Sequence, residues 1–282
     1  MGRARAPRPA GEGEAQVASR RRHARPPGAV GAAPAGHRPC PPILPRHAER
    51  PSRAPVVRAR ELAKSCDFTL LRAGVTADDL AAHCAAAARL HMASVVVPPA
   101  MVRWAADTLR GGDVKVGTVV SYPFGTDDTV AKAAVTRAAI ALGARELDVV
   151  MNVSALLSGR PGVARADLGA VVDAARDSTS AHVMVRAVVE APLLGEHLLR
   201  RACQVASIAG ADFVVTATGL SGPARTQDVE VMRNCLAADI GVVAAGGVTS
   251  IDAAVMLLDA GAQRVATAGA ADMVASLMGV AA

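Results

Sequence analysis

From about residue 60 onwards, short β-branched apolar runs alternate with longer stretches whose apolar positions recur at helical spacing. The runs are CDFTLL (66–71), ASVVV (93–97), KVGTVV (115–120), ELDVVM (146–151), VMVRAVV (183–189), DFVVTAT (212–218), GVVAAG (241–246) and RVATAG (264–269). Runs of this length, rich in Val and bounded by turn residues, predict buried strands of a parallel sheet. Between them, TADDLAAHCAAAARL (76–90) opens with Thr-x-x-Asp, a helix N-terminal signature. DDTVAKAAVTRAAIALGA (127–144) stops at Gly143 and SIDAAVMLLDAGA (250–262) at Gly261, where helices commonly end, and TQDVEVMRNCLAA (226–238) carries the same pattern. Eight strand–helix units in about 220 residues fit a single (β/α)₈ TIM barrel, an α/β fold of usually about 250 residues. Alternation alone also allows a doubly wound open sheet. The eight distinct runs and the late glycine loops favour closure.

Composition divides the chain. Residues 1–55 hold 11 of the 17 prolines and 11 Arg against 3 Glu, a net +8, whereas the remainder is close to neutral. The overall +6 therefore belongs to the N-terminal segment. Few large apolar residues there can offset ordering entropy, so 1–55 is expected to be a disordered basic Pro/Arg-rich tail ahead of a barrel over 56–282. The Arg20–Arg21–Arg22 run would suit a basic arm, but without interleaved aromatics a solvated tail or an over-extended gene start is the favoured reading. A near-neutral body gives no reason to expect nucleic acid as a partner. No long apolar segment suggests a signal peptide or a membrane span, so a cytoplasmic protein is expected. Cys40, Cys66, Cys84, Cys203 and Cys235 are dispersed, with no CxxC, and read as reduced thiols, mostly small core hydrophobes. With one Trp, one Tyr and three Phe, the core must be built from Val, Ala, Leu and Ile.

Several blocks, in order along the chain, resemble the deoxyribose-phosphate aldolase family. CDFTLL resembles its Asp-x-Thr-x-Leu entry strand, and VGTVVSYPFG (116–125) its third strand and following loop. TRAAIALGARELDVVMNVSALLSG (136–159) resembles its most distinctive block, and ADFVVTATG (211–219) and Ala-Gly-Gly-Val (245–248) its later strands. The resemblance covers nearly all of 60–280. It implies a TIM barrel and retro-aldol cleavage of 2-deoxyribose 5-phosphate to glyceraldehyde 3-phosphate and acetaldehyde, in deoxyribonucleotide catabolism. It implies no cofactor and no metal, a small phosphorylated sugar or aldehyde as substrate, and a homodimer as the assembly.

Carried over residue by residue, the resemblance places the family's proton-shuttling aspartate on Asp148 and a second aspartate on Asp67. The Schiff-base lysine falls on Val215, its partner lysine on Val243, and a strand-five lysine on Arg186. Thr216, Thr218 and Gly219 continue the nucleophile motif, Gly246 and Gly247 match the phosphate loop, and Ala268-Gly269 stands where the family has two phosphate-binding serines. The catalytic candidates are thus Asp148, Asp67 and Arg186, and the substrate- or phosphate-binding candidates Thr218, Gly219, Gly246 and Gly247.

An arginine-rich composition (the chain has only Lys64, Lys115 and Lys132) explains Arg186 but not two valines. Arginine stays protonated and cannot replace an amine nucleophile. Lys64 and Lys115 precede or open strands, at the wrong end, and Lys132 reads as a solvated helix charge. The seven histidines are dispersed and suggest no metal site. On strands four and five, Asp148, Val150 and Asn152 share one face, as do Arg186, Val188 and Glu190. Asp148 and Arg186 can therefore pair inside the barrel, either as a held acid/base carboxylate or as a buried ion pair with no catalytic part. Gly246–Gly247 can present amides to a phosphate or serve only a tight turn. The pattern supports two functions: an aldolase relative altered in its chemistry, or a non-catalytic small-molecule binder.

Overall fold

The computed structural model describes residues 59–280, and the basic segment 1–55 lies outside them. Eight parallel strands close into one barrel: β1 Cys66–Thr69, β2 Ser94–Val97, β3 Lys115–Val120, β4 Glu146–Val150, β5 Met184–Val188, β6 Phe213–Val215, β7 Gly241–Ala245 and β8 Arg264–Thr267. Each strand pairs with the next, and β8 returns to β1 with Asp67 opposite Ala266, so no edge is left open. The open-sheet alternative is excluded.

The helices follow from local sequence. α1 (Ala59–Lys64) precedes β1, and α2 (Ala77–Arg89) starts on a complete capping box in which Thr76 accepts from the Asp79 amide and the Asp79 carboxylate accepts from the Thr76 amide. After α3 (Val102–Thr108), α4 (Thr129–Leu142) ends on Gly143 at φ 112°, a left-handed conformation that glycine tolerates best. α5 (Val153–Leu157) and α6 (Pro161–Asp177) lie between β4 and β5, followed by α7 (Glu196–Ala209), α8 (Thr226–Cys235), α9 (Ile251–Asp259) and α10 (Ala270–Met278).

Apolar burial falls into two regions. A large shell lies between strands and helices, from Leu62 on α1 to Val274 on α10. A second, separate cluster lies inside the barrel towards the strands' C-terminal ends: Val150, Val188, Val215, Val243, Ala245 and Ala266. Below it, nearer the N-terminal ends, the interior is charged. At that level the Phe213 ring occupies the place of any side chain at position 241, because a Cβ there would lie 2.1 Å from the ring; hence Gly241. The Arg264 guanidinium sits 5.6 Å from the centre of the same ring, a cation–π contact.

Candidate functional site

Strand register puts Asp148 directly beside Arg186, and the two side chains pair as the alternation predicts. The guanidinium forks onto the carboxylate through Nε at 2.6 Å and a terminal nitrogen at 2.7 Å. Its other terminal nitrogen reaches Asp67 at 2.6 Å and Glu146 at 3.0 Å. Arg264 joins from β8, bonding Asp67 at 3.0 Å and Glu146 at 2.9 Å, and the Ser94 hydroxyl donates to Asp67 at 2.7 Å. Three carboxylates and two guanidiniums thus form one closed network, with Arg186 and Asp67 fully buried. Burial alone would lower the arginine's pKa, but Asp148, Asp67 and Glu146 hold it well above the ordinary value. Glu146 moves up, because burial and the Asp67 charge outweigh the two arginines. Neither Glu146 nor Arg264 is marked by any sequence pattern. Both open their strands and meet the others only because the barrel closes.

Above this network, a cavity of about 860 Å³ opens at the strands' C-terminal ends, where (β/α)₈ barrels carry their functional groups. Asp148 reaches it through the floor, and Val188, Val215, Ala245 and Ala266 make that floor largely apolar. Thr218, Gly219, Gly246 and Gly247 form one wall. Five of the seven candidate residues therefore meet at the mouth, while Asp67 and Arg186 lie beneath it, Arg186 bonded to both Asp148 and Asp67.

The glycines have a geometric reason. Gly246 and Gly247 have φ of 101° and 67°, and a Cβ on Gly246 would come within 3.1 Å of the Gly219 Cα, so the two loops touch backbone to backbone. The Gly246 carbonyl accepts from Ala224, which ties the loops together. Thr216 is not in the cavity: its hydroxyl bridges the Ala245 carbonyl and amide at 2.8 and 2.9 Å. After β8, the Gly269 amide donates to the Thr267 hydroxyl at 3.0 Å, so one backbone donor near the serine positions is already occupied.

Two further groups lie at this end of the barrel, Glu190 against the Thr218 loop but outside the cavity lining, and His83 within it. Glu190, just beyond β5, has a left-handed conformation at φ 51°, which breaks the alternation that put it on the inner face. It is 4% exposed; Oε1 accepts from the Thr218 amide at 2.5 Å and Oε2 has no hydrogen-bond partner. Its charge and, more strongly, burial push the neighbouring Tyr122 phenol up. His83 lines the cavity, stacked on Phe68 with ring centres 3.6 Å apart and bonded to the Phe68 carbonyl at 3.0 Å. Burial lowers its pKa, which favours the neutral ring.

The lysines require one correction. Lys64 is exposed and paired with Asp113, and Lys115 opens β3 at the end opposite the mouth. Lys132, however, is not a solvated charge: it is 1% exposed, bonded to Asp167 of α6 at 2.5 Å and to the carbonyls of Gly125 and Val150 at 2.8 and 3.2 Å. Packing of α4 against α6 encloses it, and the ammonium closes the gap between those helices and the strands. Among the described residues, no group of three or more His, Cys, Asp or Glu side chains is arranged to hold a metal ion. No helix among them is long and apolar enough to cross a membrane.

A closed eight-stranded barrel with a glycine-walled mouth at its C-terminal end defines a (β/α)₈ protein whose candidate site lies at that mouth. More narrowly, residues 62–282 match the model of the DeoC/LacD family aldolase, and the chain belongs to that family. A deoxyribose-phosphate aldolase of Geobacillus sp. (strain WCH70) is 42% identical over 214 residues, 76% of this chain and 94% of the relative. Among solved structures, a Coccidioides immitis protein provisionally named deoxyribose-phosphate aldolase superposes with a TM-score of 0.75 at 30% identity, covering 79% of this chain and 88% of its own. The tetrameric deoxyribose phosphate aldolase of Aeropyrum pernix gives 0.69 at 26% identity, covering 78% and 92%.

Proposed function

We propose that this chain binds a small phosphorylated sugar or aldehyde at its mouth and is inactive or strongly impaired in Schiff-base cleavage of 2-deoxyribose 5-phosphate. The observation that carries this reading is the apolar cluster. Class I aldol chemistry needs a neutral amine aimed at the substrate carbonyl, usually with a second cation nearby to keep it neutral. At the two positions concerned stand Val215 and Val243, adjacent in register and packed among Val150, Val188, Ala245 and Ala266. The one buried lysine among the described residues, Lys132, has its ammonium occupied by three oxygens, away from the mouth.

Asp148 in the floor can orient a substrate hydroxyl, but its fork onto Arg186 leaves it no spare basic partner of the kind a lysine would supply. Gly246–Gly247 supports anion binding by backbone amides. The occupied Gly269 amide and the absent serines argue that phosphate is held weakly. Two roles fit this mouth: a repurposed carbon–carbon lyase or other enzyme on a small phosphorylated sugar or aldehyde, and a non-catalytic binder. A cytoplasmic homodimer is the accompanying proposal.

The test is borohydride reduction of the protein with 2-deoxyribose 5-phosphate, read by intact mass. No reduced adduct is expected, and a stoichiometric adduct, mapped to any lysine, would overturn the reading.

A further inference from the structure

At the end of the barrel opposite the mouth, a cavity of about 440 Å³ opens between α3, α4 and the first residues of β3 and β4. Four cations line it: Arg103 on α3, Arg110 just after that helix, Lys115 at the start of β3 and Arg145 immediately before β4. One carboxylate, Asp107, stands among them and is paired with Arg110. Arg103, Lys115 and Arg145 have no carboxylate partner among the described residues; Arg145 spends one donor on the Ala144 carbonyl at 2.9 Å. The neighbouring carboxylates in sequence are engaged elsewhere, Asp113 by Lys64 and His91 and Glu146 by the network under the mouth. The Arg145 amide donates to the Val116 carbonyl at 2.8 Å, so the backbones carrying Lys115 and Arg145 are fixed side by side. Behind the cations, Leu109, Val114, Val116 and Ile140 are buried and give the cavity an apolar base.

We propose that this cavity is a binding site for a diphosphate group, separate from the mouth and independent of its chemistry. Cations at this end have one ordinary role, because α3 and α4 both end here, on Leu109 and Gly143, and helix C-termini carry partial negative charge. That role does not use them up. Each helix end contributes at most about −0.5, whereas four cations against one carboxylate leave a side-chain balance of +3. An excess of roughly +2 therefore faces the cavity, and the apolar base behind it concentrates the field. The donors also select the anion. Arg103 and Arg145 present forked guanidiniums and Lys115 a point charge, each from a different element. A lone carboxylate would satisfy one such fork, whereas a diphosphate offers oxygens in several directions and enough charge to meet all three.

The test is calorimetric titration of the full chain with inorganic pyrophosphate and, separately, with ADP at low ionic strength. One site per chain is expected for at least one of the two. Tighter binding of ADP would assign the site to diphosphate esters that also use the apolar base, and equal or tighter binding of pyrophosphate to the diphosphate alone. Replacing Lys115→Gln and Arg145→Gln together should weaken binding about tenfold or more, the scale of losing a charge-assisted hydrogen bond. Arg103→Gln, on a different element, should weaken it as well. All three side chains are exposed, so these variants keep the fold. Absence of binding by the unmodified chain would overturn the proposal. So would binding that the substitutions leave unchanged, which would place the anion at the mouth or on the basic segment 1–55.

Discussion

The two levels of the barrel interior differ in how they are held together. At the mouth, Val150, Val188, Val215 and Val243 interlock by shape alone, each burial stabilising by roughly 1.5–3 kcal/mol without any directional demand. One level down, Asp67, Glu146, Asp148, Arg186 and Arg264 satisfy one another through short, directional bonds. Such a network contributes little net stability against an apolar equivalent, yet is intolerant of losing a single member. The upper level can therefore be rewritten at modest cost, whereas the lower one changes only as a unit. That contrast bears on function, because the upper level decides whether an amine stands at the mouth, and the lower one fixes Asp148 beneath whatever stands there.

The largest expected effect comes from rewriting the upper level. Val215→Lys should convert a protein without borohydride-trappable adduct into one that forms it slowly, because a solitary lysine there has only its burial, and no neighbouring cation, to hold its amine neutral. Adding Val243→Lys places a second cation one strand spacing away, in register with the first. A neighbouring cation that lowers the nucleophile's pKa by about 2 units raises its neutral fraction about 100-fold, and the adduct rate should rise accordingly. Equal rates for the single and double variants would show that the two positions do not communicate.

Next in size is a cut in the lower level. Arg186→Met leaves three buried carboxylates facing only Arg264 and should destabilise by about 3–5 kcal/mol in urea denaturation. Asp148→Asn should cost less, about 1–3 kcal/mol, since Arg186 retains Asp67 and Glu146 and the amide oxygen can still accept one bond. An Asp148→Asn cost as large as that of Arg186→Met would mean that the charges act pairwise and not as one network.

This contrast also explains what the chain discloses when read alone. All eight strands are legible because β-branched runs are local, and the Asp148–Arg186 pair because neighbouring strands and alternation are enough to place it. Glu146 and Arg264 are not legible: β4 and β8 stand across the barrel, and only closure and shear bring their first residues to one point. Lys132 reads as solvated because an alanine-rich helix hides which face is covered; Asp167, on a helix that follows another strand, decides it. Glu190 is placed on the inner face by alternation, but its left-handed backbone turns the carboxylate to the Thr218 amide.

The smallest effect, and the sharpest test of the network as a unit, is its pH dependence. Glu146 is the member pushed up, by burial first and then by Asp67, against the pull of Arg186 and Arg264. Its folded-state pKa therefore lies above its unfolded one, so between the two the folded protein binds more protons and stability falls as pH rises. The cost of ionising Glu146 is absent below its ordinary range near 4.5 and fully present above its raised value. Glu146→Gln removes that titration while leaving an oxygen to accept from Arg264. Relative to the unmodified protein, the variant should thus gain stability as pH climbs from about 4.5 towards neutrality, measured as the difference between two urea-denaturation series. Acid-denaturing groups elsewhere, such as the exposed Asp79 and Asp113 held low by their partners, act equally in both proteins and cancel in that difference. A pH-independent difference would place the network's proton on another carboxylate, and a difference of opposite slope would mean that the two arginines outweigh burial at Glu146.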